Sequence, residues 1–171
     1  FVAEEGSGRV RGCAVLLRHA QTVAGIAPVA RGQVTLKLGA KSHQTSLTGT
    51  TPDYRTVNNA PVESGRFINQ SDVDGRLKVA VLGLSVVEQL TGNPHANVVG
   101  LTVQIERSSY RIIGVLKTKG SGAFGQDQDD VVIVPVSTAL RRVFNRTYLS
   151  SINVQASSRE TIDLAIEQIT R

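Results

Sequence analysis

Three aspartates in Gln126-Asp127-Gln128-Asp129-Asp130 offer hard oxygen ligands of the kind a calcium ion takes. A calcium loop also needs a bidentate carboxylate further on and a glycine at the turn, and this stretch lacks them in that order. Asp127, Asp129 and Asp130 therefore read as a solvated loop leading into a strand with a polar edge. Just upstream, Gly120-x-Gly122-x-x-Gly125 has the glycine spacing of a dinucleotide fingerprint. That fingerprint works by opening a helix whose N-terminus holds the pyrophosphate. Here an acidic stretch and a strand follow, so the match is accidental. Two readings of the loop stand open: a partner-contact element carried by Gly120, Gly122, Phe124, Gly125 and Asp127, with Phe124 its apolar anchor, and a plain flexible connector.

Other candidates for chemistry are isolated. Cys13 lies in the apolar run Cys13-Ala14-Val15-Leu16-Leu17, the setting of a small buried side chain rather than an activated thiolate. His19, His43 and His95 share no metal-ligand spacing. Ser85 in Gly83-Leu84-Ser85-Val86-Val87 begins like a nucleophile elbow, but the second glycine is missing. A helix cap accounts for it more simply. No acid, base and nucleophile are brought together, so no catalytic site, metal site or cofactor is expected.

The elements that would carry these residues are mostly strands. Residues 1–12, rich in Gly and charge, read as a frayed start, and residues 13–20 as a short helix or strand. Residues 23–29 are small and β-branched. Gln33–Leu38 and His43–Gly49 alternate polar with apolar about a turn at residues 39–42, the pattern of an antiparallel hairpin. Val79-Ala80-Val81-Leu82 is a continuous apolar strand of the doubly buried kind. A helix through Val86–Leu90 is expected next, capped by Ser85 and ended by Gly92-Asn93-Pro94. Residues 98–105 and 110–116 form a second hairpin. Residues 130–135 form a buried strand, followed by a helix over 138–144 that Ser137 caps. Residues 149–156 alternate as a strand, and the capping box Ser157-Ser158-Arg159-Glu160 opens a last helix with Ile162, Ala165, Ile166 and Ile169 on one stripe. The fold class is α+β with mostly antiparallel strands.

Composition narrows the function classes. The chain has 171 residues, a net charge of +5 and 40% apolar content, which is ordinary for a globular domain. Its basic residues are scattered, and aromatics make up only 4%, so the interleaved stacking surface of a nucleic-acid binder is missing. A weak attraction to anionic membrane surfaces stays open. One cysteine excludes an internal disulfide. No apolar run nears the ~18 residues that span a bilayer. The chain opens on Phe1 and contains no methionine, so it is expected to be a piece of a larger protein.

The order of the middle segments resembles the extracytoplasmic (periplasmic) core domain of MacB-type, FtsX-like ABC transporter permeases. The resemblance rests on Val62-Glu63-Ser64-Gly65-Arg66-Phe67 followed by Asp72, then Val79–Gly83 and a short helix, then Val99-Gly100-Leu101-Thr102-Val103 before Tyr110–Leu116. Asp129-Asp130-Val131-Val132-Ile133-Val134-Pro135 after the glycine loop continues the series. Val23–Pro28 and Thr48-Gly49-Thr50-Thr51-Pro52-Asp53-Tyr54 fit upstream. Gly6, Gly8 and Gly12 depart from it, standing where the family's first helix wants good helix formers.

The resemblance implies an insert between the first two transmembrane helices of a permease subunit, on the periplasmic or extracellular side of the membrane. Two lobes are expected. One is a porter-like α/β lobe built from residues 1–60 plus 149–171, and the other a central β-rich lobe of residues 61–148. Pro61 and Thr147 are the hinge candidates. The implied partners are the parent's transmembrane helices and ATPase domain, a second permease as homodimer or heterodimer, and an adaptor protein, with no nucleic acid. The implied function is to couple ATP-driven movement to export or extraction of an antibiotic, peptide or lipoprotein. A small-molecule-binding module and an enzyme are the competing classes; a deep apolar cleft would mark the first and a cluster of perturbed titratable groups the second.

Overall fold

The computed structural model describes residues 2–3, 23–120 and 127–156. Its strands in chain order are β1 (Val2–Ala3), β2 (Val23–Leu38), β3 (Lys41–Thr50), β4 (Val62–Gly65), β5 (Val79–Leu82), β6 (Thr102–Ile105), β7 (Ser108–Leu116), β8 (Val131–Pro135) and β9 (Ser151–Ala156). The helices are α1 (Tyr54–Val57), α2 (Gln70–Asp74), α3 (Leu84–Thr91) and the single turn α4 (Val136–Thr138). Alpha-4 widens at once into a π-helical turn over Ala139–Val143.

The strands join in the order β1-β9-β2-β3-β8-β5-β7-β4, with β6 bridging β2 and β7. The β3–β8 and β5–β7 pairs are parallel, and the other described pairs are antiparallel. The alternating run at Gln33–Leu38 does fold as a hairpin arm: Leu38 faces Lys41 and Gln33 faces Ser46. That arm is part of a 16-residue strand continuous from Val23. The strand changes neighbour midway: β9 pairs with Val23–Val29, and β3 takes over from Ala30 onward. Pro28 cannot donate to a ladder; it lies opposite Ile152, just before this change of partner.

Apolar side chains bury both faces of the central strands. On one face Leu47, Leu82, Tyr110, Ile112 and Val132 pack under Val86, Val87 and Leu90 of α3. On the other, Val79, Val81, Ile113 and Ile133 meet Tyr54, Phe67 and Ile68, together with Ala27 and Val29 from β2. All four residues of β5 are buried, the pattern its continuous apolar run calls for.

Two expected helix starts differ. The cap of α3 is Gly83, extended at φ −74° and ψ 159°, and Ser85 sits within the first turn. The cap of α4 is Pro135, and Ser137 lies inside the turn, where its hydroxyl donates to the Val73 carbonyl. In both places the strand runs straight into the helix, so the cap falls two residues earlier than the nearest serine. The stop at Gly92 is as expected: φ is +77°, and its amide returns to the Glu88 carbonyl. The expected final helix over Ser157–Arg171 and the residues 1–20 reading lie outside the described residues, apart from β1.

Candidate functional site

One carboxylate pins the neck of the glycine-rich loop between β7 and β8. Asp129 is buried and accepts hydrogen bonds from the Thr118 hydroxyl at 2.6 Å and from the amides of Lys119 and Gly120 at 2.7 and 3.0 Å. Asp127 accepts from the Asp129 amide at 2.9 Å, closing a local Asx turn. Burial alone would push the Asp129 carboxyl up; the Thr118 hydroxyl, the two amides and the nearby Lys119 outweigh it and hold the group below its usual 3.8. Gly120 takes φ +73° to let its amide reach Asp129. Gly122, Phe124 and Gly125 lie outside the described residues.

The three aspartates do not converge. Asp130 immediately precedes β8, where its Oδ1 receives the Thr45 hydroxyl at 2.6 Å and lies 2.9 Å from His43 Nε2. Thr45 gives its proton to Asp130 and not to the imidazole, so His43 activates no nucleophile there. Among the described residues no group of three or more His, Cys, Asp and Glu side chains is placed to hold a metal. His95 is exposed, 3.9 Å from Glu63. Cys13 and His19 lie outside the described residues.

Beside the neck runs a groove of about 600 Å³ lined by Arg31, Ser46, Thr48, Tyr54, Lys119 and Asp127 among others. Lys119 Nζ donates to the Asn58 carbonyl, and burial lowers its pKa against the opposing pull of Asp129. Cations, carboxylates and hydroxyls mix here without an acid and a base facing each other across a reacting position. The surroundings favour a surface that is held in shape over one that does chemistry.

The hinge candidates sit in contrasting settings. Pro61 links buried Ala60 to β4, and its carbonyl accepts from the Lys117 amide at 2.9 Å. Thr147 is exposed between Arg146, whose guanidinium lies over the rings of Phe144 and Tyr148 at 5.3 and 5.6 Å, and the strand β9.

A stronger constellation went unread as a unit in the sequence. Arg66 reaches Asp72 through both guanidinium nitrogens, at 2.7 and 3.3 Å. Asp72 is 2% exposed and also closes a capping box: it accepts from the Asn69 amide at 3.0 Å while Asn69 Oδ1 accepts from the Asp72 amide at 2.9 Å. Burial raises the Asp72 carboxyl, but Arg66 and the Asn69 amide win and keep it below 3.8. The signal that could have found it is the spacing Asn69-x-x-Asp72, a capping box with Asp in place of Glu.

Comparison with known proteins sets this arrangement in a family. The model of the MacB-like periplasmic core domain matches residues 8–171. A macrolide export ATP-binding/permease protein MacB from Chlorobium luteolum is 36% identical over 180 residues, covering 96% of this chain and 27% of that protein. The protein of the same description from Chlorobaculum tepidum is 41% identical over 129 residues, covering 75% and 19%. This chain thus spans between about a fifth and about a quarter of the length of the curated relatives it matches. The periplasmic region of MacB from Actinobacillus actinomycetemcomitans superposes with a TM-score of 0.80 at 24% identity, over 97% of this chain and 72% of that one. The extracellular domain of the noncanonic ABC-type transporter YknZ gives 0.78 at 18% identity, over 96% and 86%. No described helix is long and apolar enough to cross a membrane. With the family model matching nearly from end to end, and the fold agreeing, the chain belongs to the MacB-like periplasmic core domain family.

Proposed function

We propose that this chain is the extracytoplasmic part of an ABC transporter permease subunit. In this reading it is a non-catalytic relay that passes ATP-driven movement from the membrane to export or extraction of a substrate: an antibiotic, a peptide or a lipoprotein. The family match over residues 8–171 carries the reading. The strand order supports it: β1 and β9, first and last of the described strands, lie side by side with Val2 opposite Asn153. An insert whose two ends meet neighbouring membrane helices needs its first and last strands close together. Its partners would be those helices, the ATPase domain, a second permease and an adaptor protein, the last met in part by the glycine-rich loop.

Two lobes moving as bodies would transmit such movement. Residues 1–60 with 149–171 form one in this proposal and residues 61–148 the other, with Pro61 and Thr147 as hinges. The β3–β8 pairing ties Ser46–Thr50 into the sheet of the second lobe, which favours drawing the boundary inside β2, where the strand changes partner after Val29.

Sidedness tests the reading. In the parent protein carrying Cys13→Ala and Lys41→Cys, a membrane-impermeant maleimide should label the exposed hairpin tip in cells whose outer envelope is permeabilised and whose inner membrane is intact. Labelling that requires lysis of the inner membrane would overturn the proposal.

A further inference from the structure

Three large apolar side chains stand exposed among the described residues, and one of them, Leu77, lines a groove. Leu77 is 45% exposed, and Leu101, 48% exposed, is the next residue in the chain after the lining residue Gly100. The groove measures about 490 Å³ and runs past Gly65 and Arg66 after β4, Val79 at the start of β5, and Arg111–Ile113 of β7. Its walls also carry Val99. A recess with exposed Leu77 on its wall beside Val79 and Val99 is a place where a partner's apolar side chains would be sheltered from water.

Charge identifies the partner. Arg66 and Arg111 line the groove, and exposed Arg76 and Lys78 bracket Leu77 in the chain. Arg66 is paired with Asp72, yet its side chain keeps 49% of its surface open. Arg76, Lys78 and Arg111 have no carboxylate within ion-pair distance among the described residues. The acidic side chains close in sequence are Asp72, buried and already bound, and Asp74, which accepts from Gln70 at 2.9 Å. Arg66, Arg76, Lys78 and Arg111 thus set four positive charges against the two carboxylates of Asp72 and Asp74.

We propose that this groove docks an acidic segment of a partner protein bearing leucine-like side chains. The recess receives the apolar side chains while Arg111, Arg76 and Lys78 face the carboxylates. The recessed shape favours side chains over a flat layer of lipid headgroups, which would meet the cations but leave the aliphatic walls unfilled. The proposal stands apart from the relay reading: docking here requires no movement of the domain.

The test uses the 171-residue chain and a fluorescein-labelled peptide of alternating glutamate and leucine, followed by anisotropy. Binding with a Kd of about 10–100 μM is expected at low salt, weakening as salt is added. Arg111→Glu and Leu77→Ser should each weaken it about tenfold or more, with melting temperatures little changed because both side chains are exposed. A peptide with lysine for glutamate should bind at least about tenfold less tightly. Equal binding of the lysine peptide, indifference to both substitutions, or no binding would overturn the proposal. So would binding to phosphatidylglycerol vesicles, abolished by the same substitutions, in the absence of peptide binding.

Discussion

Gly83→Ala will destabilise the fold by about 2–3 kcal/mol, whereas Ser85→Ala, two residues on, will change stability by less than about 0.5 kcal/mol. Serine is the expected cap in the sequence, so the ranking separates the two accounts of how α3 begins. A Cβ on Gly83 would be driven into the Asp129 carbonyl, with the Val131 carbonyl close behind. Neither obstacle is the end of a flexible side chain. The Gly83 amide donates to the Val131 carbonyl at 2.8 Å, so the glycine is fixed between β5, α3 and the loop neck. Its φ of −74° suits any residue, which makes the effect one of space and not of backbone conformation. Ser85 makes no cap hydrogen bond, and alanine is the better helix former. Thermal unfolding measures both: the Gly83 variant should melt several degrees lower, at roughly 2–4 °C per kcal/mol for a chain of this size. A Ser85 variant that loses as much as the Gly83 variant would place the cap at Ser85 after all.

Removing Arg66 will cost more than removing the charge of its partner. Arg66→Met leaves the Asp72 carboxylate 2% exposed with its strongest donor gone. The loss should be about 2–3 kcal/mol, below the range for fully buried pairs because Arg66 itself is half in water. Asp72→Asn keeps an oxygen for the Asn69 amide and releases the guanidinium to solvent, at about 1–2 kcal/mol. Arg66→Met with Asp72→Asn should then be more stable than Arg66→Met alone, because no buried charge is stranded. Acid narrows the contrast. Asp72 and Asp129 are held below 3.8 in the folded chain. Their contribution is present above that value and disappears as pH falls through the lower folded values. Without Arg66 the folded Asp72 value rises, so this carboxylate no longer loses stability in acid, and the deficit of Arg66→Met against the parent chain should shrink as pH falls through the parent's lowered Asp72 value. Urea titrations across the acid range read this directly, and a double variant weaker than Arg66→Met would contradict the account.

Local pattern made much of the sheet legible. Val79-Ala80-Val81-Leu82 has no polar position, and both of its faces proved covered. The two hairpins follow from alternation about Gly39-Ala40 and Glu106-Arg107. The helix starts were misread where a strand enters a helix directly, because extended glycine or proline can hold the cap position without a side-chain bond. What stayed hidden depends on long-range pairing. Thr45 and His43 meet Asp130 across more than 80 residues, and the parallel β3–β8 ladder that joins them has no local signature. Asp129 looked like one of three equivalent loop carboxylates, yet the fold turns it inward to hold the neck and sends Asp130 to the opposite side. Leu77 and Leu101 are ordinary leucines in the sequence, and only the packing around them shows that they face water.

The relay itself is tested most directly by spin-label distances in the membrane-embedded parent. With Cys13→Ala and Lys41→Cys in both permease subunits, the distance between the two exposed hairpin tips should change between the nucleotide-free and ATP-trapped states. A second pair in a single subunit, at Lys41 and Glu88, lies on one side of the boundary drawn inside β2 and reports whether the hairpin and α3 move as one body. Movement between subunits, with that inner distance preserved, is the predicted result. Export that proceeds while the tip-to-tip distance never changes would contradict it.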